Sequence, residues 1–376
     1  MLAIRGNILP FSKYGENGVG CTREYNFRVE LFTCKFLCFN YRLGIYLVNQ
    51  HLSVNDVGNL IRGLLKGDRR CLARLISLVE NVSPYIRTVF RDIAASTGDA
   101  YCIGITGPPG SGKSTLINGL TALCRIRGLS VGVISVDPTS PFSGGALFGD
   151  RIRMEAHFLD SEVFMRSMGD RGCVGGLPQV ITPVMRLMDA SGKKVILLET
   201  VGVGQSDLRI QDVVDTTVVV VTPESGDVVQ TMKAGLMEIG DIFVVNKADR
   251  PGALQHAAEL KASLDIAISR DGWCPRVMTA IAEEGNGIEE LDKTLTERRE
   301  FLQSTSELDK KRIERRKKEF IHTIQAEMNK KLSNAIFQKG LLAETLKSVE
   351  SGDTDPLFGA LELCASNTLL SLIDVK

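Results

Sequence analysis

At 376 residues the chain has room for one large domain with extensions at both ends. Lys+Arg and Asp+Glu each number 45, so net charge gives no pull toward nucleic acid or an anionic membrane. With 44% hydrophobic and 24% charged residues, the composition is that of an ordinary globular protein with a sizeable core. The 9 cysteines, at positions 21, 34, 38, 71, 102, 124, 173, 274 and 364, form no CxxC pair, and the 4 histidines are scattered. That odd count and spacing argue against a disulfide framework and a structural zinc site, and fit reduced cysteines in a cytosolic protein. No stretch reaches the ~18 unbroken apolar residues of a membrane span. The nearest, residues 31–48, is broken by Lys35, Asn40 and Arg42. Residues 1–10 lack the apolar run and cleavage site of a signal peptide.

Residues 1–50 are aromatic-rich and show no helical or strand period, and they are left unassigned. From residue 51 to 98 the pattern becomes helical: Val54, Val57, Leu60, Ile61 and Leu64 share one face, and so do Leu72, Leu75, Ile76 and Val79. Gly67-Asp68 separates the two runs, Asp68 is placed to cap the second, and Pro84 ends the pattern. From 99 to 298 strands and helices alternate. Short β-branched runs lie at 101–105, 131–136, 195–198, 217–221 and 242–245, with a last one at 276–278. Buried strands joined by crossover helices predict an α/β fold with a mainly parallel sheet, whose ligands sit at the carboxyl ends of the strands. From 299 to 376 the chain reads as a charged helical arm. Lys310-Lys311-Arg312 and Arg315-Arg316-Lys317-Lys318 alternate with Glu314 and Glu319 and precede Phe320, Ile321 and Ile324. The basic run reads as the solvated face of a long helix rather than a nucleic-acid site; a dimerisation arm fits the same residues.

Gly107-Pro-Pro-Gly-Ser-Gly-Lys-Ser114 matches the GxxxxGKS/T pattern between the 101–105 strand and the amphipathic run 115–124. Strand, glycine loop and helix start together define a P-loop NTPase. Gly107, Gly110, Ser111, Gly112 and Thr115 let backbone N–H groups and the helix terminus converge on phosphate oxygens. Lys113 is expected to reach the β- and γ-phosphates, and Ser114 to ligate Mg²⁺. Asp137 and Glu199 close strands and Asp150 lies in a Gly-rich loop, so the three are candidate Mg²⁺ carboxylates. Glu199-Thr-Val-Gly202 reads as a switch, in which Gly202 allows a backbone N–H to approach a γ-phosphate. Gln205 lies three residues beyond Gly202 and no Gln follows it directly, so slow intrinsic hydrolysis is expected.

Asn246-Lys247-Ala248-Asp249 is an NKxD sequence at the end of the 242–245 strand. The Asp249 carboxylate can accept from guanine N1–H and N2–H₂, which adenine lacks, so GTP and GDP are favoured over ATP and ADP. The Lys247 stem can lie over the base, and Thr279-Ala280 can add a backbone contact.

Gly-Asp-Arg-Arg-Cys-Leu-Ala-Arg at 67–74, Val-Asp-Pro-Thr-Ser-Pro-Phe-Ser-Gly-Gly at 136–145, Gly-Asp-Arg-Ile-Arg-Met at 149–154 and Glu-Thr-Val-Gly-Val-Gly-Gln-Ser at 199–206 resemble the MeaB/ArgK/MMAA GTPases. The similarity runs from about residue 52 to about residue 300. It implies a G domain with a helical N-terminal extension and a C-terminal arm that forms a homodimer. It further implies a GTP-hydrolysing, Mg²⁺-dependent chaperone that gates adenosylcobalamin loading and protection of methylmalonyl-CoA mutase or a related cobalamin-dependent mutase. By the same match Lys113, Ser114, Asp137, Asp150 and Glu199 serve nucleotide and Mg²⁺. The segment 226–233 resembles an additional switch facing the mutase, with Lys233 a candidate for stimulated hydrolysis. With the charge balance, the absent apolar span and the cysteine pattern, the expectation is a cytoplasmic location, or the mitochondrial matrix in a eukaryote, with no nucleic-acid or membrane partner. The competing readings are a nickel- or zinc-insertion GTPase, an ATP-dependent small-molecule kinase, and a nucleotide-dependent scaffold without turnover. The first would carry His-rich tracts or paired cysteines, which this sequence lacks.

Overall fold

The computed structural model describes residues 53–137, 157, 159–169, 180–200, 209–225, 235–265, 271–338 and 343–365; at 137, 225, 334–338 and 343 only the backbone is described. Three helices lead in: α1 (Val54–Leu65), α2 (Arg69–Glu80) and α3 (Ile86–Ile93). Ser53 caps α1 in a reciprocal arrangement with Asp56, and Asp68 caps α2 by accepting from the N–H groups of Arg70 and Cys71. Each cap satisfies donors that the helix start would otherwise leave bare. The helix α3 lies inside the helical zone 51–98 but is not singled out by the sequence, where Pro84 marks the end of the run that forms α2. Pro84 also lies just ahead of α3, where the missing N–H of proline costs nothing.

Seven parallel strands follow: β1 (Tyr101–Thr106), β2 (Val131–Asp137), β3 (Val163–Gly169), β4 (Val195–Glu199), β5 (Thr216–Val221), β6 (Ile242–Asn246) and β7 (Arg276–Ala280). Their order is β3-β2-β4-β1-β5-β6-β7, so β1 lies at the centre. The helices α4 (Lys113–Ile126), α5 (Ile181–Ala190), α6 (Ala253–Asp265) and α7 (Ile288–Ser304) flank the sheet. Side chains alternate between its two faces, as the strand period demands. On one face Ile196, Leu198, Val219, Phe243 and Val245 join the core formed with α1, α2, α3, α5 and α6. On the other, Ile103, Ile105, Leu197, Val218 and Val244 pack with α4 and α7.

The edge strand β3 is a departure from the sequence reading. Its residues Val-Phe-Met-Arg-Ser-Met-Gly hold a single β-branched side chain, so no β-branched run announces it. Pairing with β2 over its whole length fixes it, and Arg166 bridges outward to Glu80 on α2. Beyond the sheet the chain runs into α8 (Glu307–Gln338), then α9 (Ala343–Glu350) and α10 (Pro356–Ala365). No helix among the described residues is long and apolar enough to cross a membrane.

Candidate functional site

The carboxyl end of β1 turns directly into the glycine loop. Gly107 has φ 139°, and a Cβ placed there would sit 1.9 Å from the Val220 carbonyl oxygen. Only glycine lets the loop press this closely against β5. Gly112 has φ 91° and caps α4; a Cβ there would meet the Asn246 amide at 2.1 Å. Gly110 is exposed at the loop tip, while Ser114 and Thr115 lie half-buried in the first turn of α4. The start of α4 thus presents its first-turn N–H groups and the positive end of its dipole at the loop.

Three side chains give the loop its chemistry. Lys113 is buried and donates from Nζ to the carbonyls of Gly107 and Pro108 at 2.8 and 3.0 Å, so its ammonium lies over the loop. Ser114 Oγ donates to Glu199 Oε1 at 2.7 Å. The other carboxylate oxygen of Glu199 accepts from Ser135 Oγ at 3.5 Å. Glu199 closes β4 and β1 is its neighbour, which brings a residue 85 positions away onto the helix start. Ser111 is buried, and its Oγ has no hydrogen-bond partner among the described residues. A buried hydroxyl without a partner carries a cost that a phosphate oxygen at the loop would remove.

The second loop reaches the same place from β6. Asn246 is buried; its Nδ2 donates to the Ser111 carbonyl at 2.8 Å and its Oδ1 accepts from the Ala282 N–H at 3.0 Å. Its amide therefore ties the NKxD loop to the glycine loop and to the turn after β7. Lys247 adopts φ 59°, a left-handed conformation that turns the chain sharply after the strand, and Asp249 is exposed beyond it. Thr279 and Ala280 end β7 beside this turn: the Ala248 N–H donates to the Ala280 carbonyl at 3.0 Å. Arg250 pairs with Glu224, whose carboxyl it holds below the usual carboxylate range.

The structure thus brings together Gly107, Gly110, Ser111, Gly112, Lys113, Ser114, Thr115, Glu199, Asn246, Lys247, Asp249, Thr279 and Ala280 at one end of the sheet. The backbone of Asp137 ends β2 at the same edge. Asp150, Gly202 and Lys233 lie outside the described residues. Sequence reasoning missed Ser135 and Ala282; the first lies on β2 two positions before Asp137, and the second only two residues after the 279–280 pair.

A central β1, a glycine loop opening α4, a strand-end carboxylate on the helix-start hydroxyl and an NKxD turn define a P-loop GTPase. The profile of the family described as "Methylmalonyl Co-A mutase-associated GTPase MeaB" matches residues 72–336, and the chain belongs to that family. A Pyrococcus abyssi protein assigned as a GTPase is 47% identical over 307 residues, covering 81% of this chain and 94% of its own. The GTPase ArgK of Escherichia coli is 33% identical over 313 residues, covering 81% and 94%. The mouse mitochondrial "methylmalonic aciduria type A homolog" is 33% identical over 274 residues, covering 68% and 66%. A crystal structure described as a LAO/AO transport system kinase superposes with TM-score 0.61 at 25% identity, covering 86% of this chain and 99% of that one. That fold likeness extends beyond the sheet to most of the described chain.

Proposed function

We propose that this GTPase is a Mg²⁺-dependent nucleotide switch that serves a cobalamin-dependent mutase, methylmalonyl-CoA mutase first among the candidates. The observation that carries the nucleotide half is the Ser114–Glu199 contact at the mouth of the glycine loop. It sets a hydroxyl and a carboxylate side by side at the helix start, the hard-oxygen chemistry that a phosphate-bound Mg²⁺ takes. The partnerless Ser111 hydroxyl and the two glycines that admit no Cβ fit a phosphate in the loop. Ser114, with Asp137, Asp150 and Glu199, would hold the ion directly or through water; the ion would offset charge developing on the phosphoryl oxygens. Lys113 would move from the loop carbonyls to the β- and γ-phosphate oxygens, neutralising charge there. Asp249 would accept from the guanine edge, with Lys247 along the base and Thr279-Ala280 beside it, and Asn246 would keep base loop and phosphate loop in register. Gly202 and Lys233 belong to the segments expected to change with nucleotide state.

The mutase half rests on the family description and on the name of the mouse relative. A helical arm suits a homodimer: Phe320, Ile321 and Ile324 are exposed on α8. The 1–50, 51–98, 99–298 and 299–376 divisions stand as the working domain plan, and α7 bridges the last two because it spans their boundary. The test is the GTP hydrolysis rate of the purified protein, alone and with the methylmalonyl-CoA mutase of the same organism. The expected result is a slow rate that rises at least ~10-fold with mutase. A rate that the mutase leaves unchanged would remove this client and direct the search to other cobalamin enzymes.

A further inference from the structure

The amino-terminal end of the sheet, opposite the glycine loop, holds a second concentration of charge. Asp215 and Asp241 immediately precede β5 and β6, and Asp271 lies ahead of β7. Asp215 is fully buried, with a side-chain exposure of 0%. Its Oδ2 accepts from the Cys102 N–H at 2.9 Å and from Arg312 at 2.8 Å; its Oδ1 accepts from Arg315 at 3.0 Å. Arg312 also donates to the carbonyls of Gly98 and Ala100, at the root of β1. One helical turn further along α8, Lys318 pairs with Asp212 at 3.1 Å. Burial alone would push the Asp215 carboxyl up; Arg315 and Arg312 outweigh it and hold the group below its usual range. The basic run is therefore not a solvated face throughout. Arg312, Arg315 and Lys318 recur at helical spacing on the side that meets the sheet.

Asp215 also ends the stretch of chain that begins at Glu199. At its near end Thr200 donates from its N–H to the Ile105 carbonyl and from its hydroxyl to Thr106, beside the glycine loop. At its far end Ile210 and Val214 pack where a Cβ on Gly104 would lie, at 2.6 and 2.9 Å. Asp212 and Asp215 then meet α8. The described parts of this stretch are held by β1 on one side and by the arm on the other. A cleft of about 550 Å³ lined by Asp212, Asp215, Lys311, Arg315 and Lys318 flanks the contact.

We propose that Asp215 is a positioning residue: clamped by Arg312 and Arg315, it fixes where the chain returning from Glu199 enters β5, so docking of α8 and the nucleotide state of the site are coupled. Coupling of this kind is reciprocal: if arm docking changes the relative affinity for GDP and GTP, nucleotide changes docking by the same factor. This inference rests on the reading of Ser114 and Glu199 as the phosphate end of the nucleotide site.

The experiment is fluorescence titration of the full chain with N-methylanthraniloyl GDP and with its non-hydrolysable GTP counterpart. It compares wild type, Arg312→Gln/Arg315→Gln and Arg312→Lys/Arg315→Lys. The proposal expects the GDP-to-GTP affinity ratio of the glutamine variant to move ~5-fold or more from wild type, with the lysine variant restoring most of it. A purely structural staple would lower thermal stability and leave the ratio alone, so a folded glutamine variant within about twofold of wild type overturns the proposal. Should that variant not fold, Lys318→Glu carries the test, because the Lys318–Asp212 pair is half-exposed. A shift in the same ratio supports the coupling, and an unchanged ratio overturns it. Ser114→Ala in the same titration separates the two claims: wild-type nucleotide binding by that variant would sink the site reading itself, whatever the arginines do.

Discussion

The two ends of the central sheet use similar groups to opposite ends. At the carboxyl end Lys113, Ser114, Glu199 and Asn246 gather around the glycine loop, the Ser111 hydroxyl has no partner among the described residues, and the loop leads into the positive end of the α4 dipole. At the amino end Asp215, Asp241 and Asp271 are met by Arg298, Arg312, Arg315 and Lys311. Arg298 is fully buried, and its guanidinium also lies over the rings of Trp273 and Phe301. One end gathers its polar groups around the glycine loop; the other uses three aspartates to fasten α7 and α8, with Arg298 Nε and Nη1 and Arg315 Nε left without a hydrogen-bond partner among the described residues. A parallel sheet explains the division. Its carboxyl ends face loops that can open, and its amino ends receive helices returning at full length.

Breaking the amino end should cost stability first. Asp215→Ala leaves the part-buried Arg312 and Arg315 without their carboxylate; removal of one partner from a fully buried pair costs about 3–5 kcal/mol, and the partial exposure of both arginines puts the loss at the lower end of that range. Thermal melting should show that loss plainly. Breaking the carboxyl end should do the reverse. Asn246→Ala frees the Ser111 carbonyl and the Ala282 N–H, a loss of about 1–3 kcal/mol per buried group left unsatisfied. Its larger effect should appear in guanine-nucleotide affinity, because the base loop and the phosphate loop lose their tie. Equal effects of the two variants on nucleotide affinity would erase the distinction between the ends.

Much of this was legible in the sequence because it is local. The glycine loop, the NKxD turn, the Asp68 cap and six strands each carry their signal within a few residues. Strand β3 carried none, since Met165, Arg166 and Met168 read equally well as loop or helix, and pairing with β2 decides its state. The clamp on Asp215 was illegible for a different reason. Its arginines lie about a hundred positions away, and a basic helical run looks the same whether it faces water or buried aspartates. The one available clue was the placing of Asp215 and Asp241 directly ahead of apolar strands, where a carboxylate is buried and must be paired. Asn246 illustrates a subtler limit: the motif places it at the end of its strand, but only the fold brings its amide to the Ser111 carbonyl.

The central claim is that a guanine nucleotide occupies the loop closed by Ser114 and Glu199. The most direct test is phosphate release from GTP and from ATP by wild type, Ser114→Ala and Asp249→Ala, each with Mg²⁺. The account predicts turnover of GTP with little of ATP, loss of GTP turnover in Ser114→Ala, and loss of the preference for GTP in Asp249→Ala. Equal use of ATP and GTP by wild type, or undiminished turnover by Ser114→Ala, would contradict it.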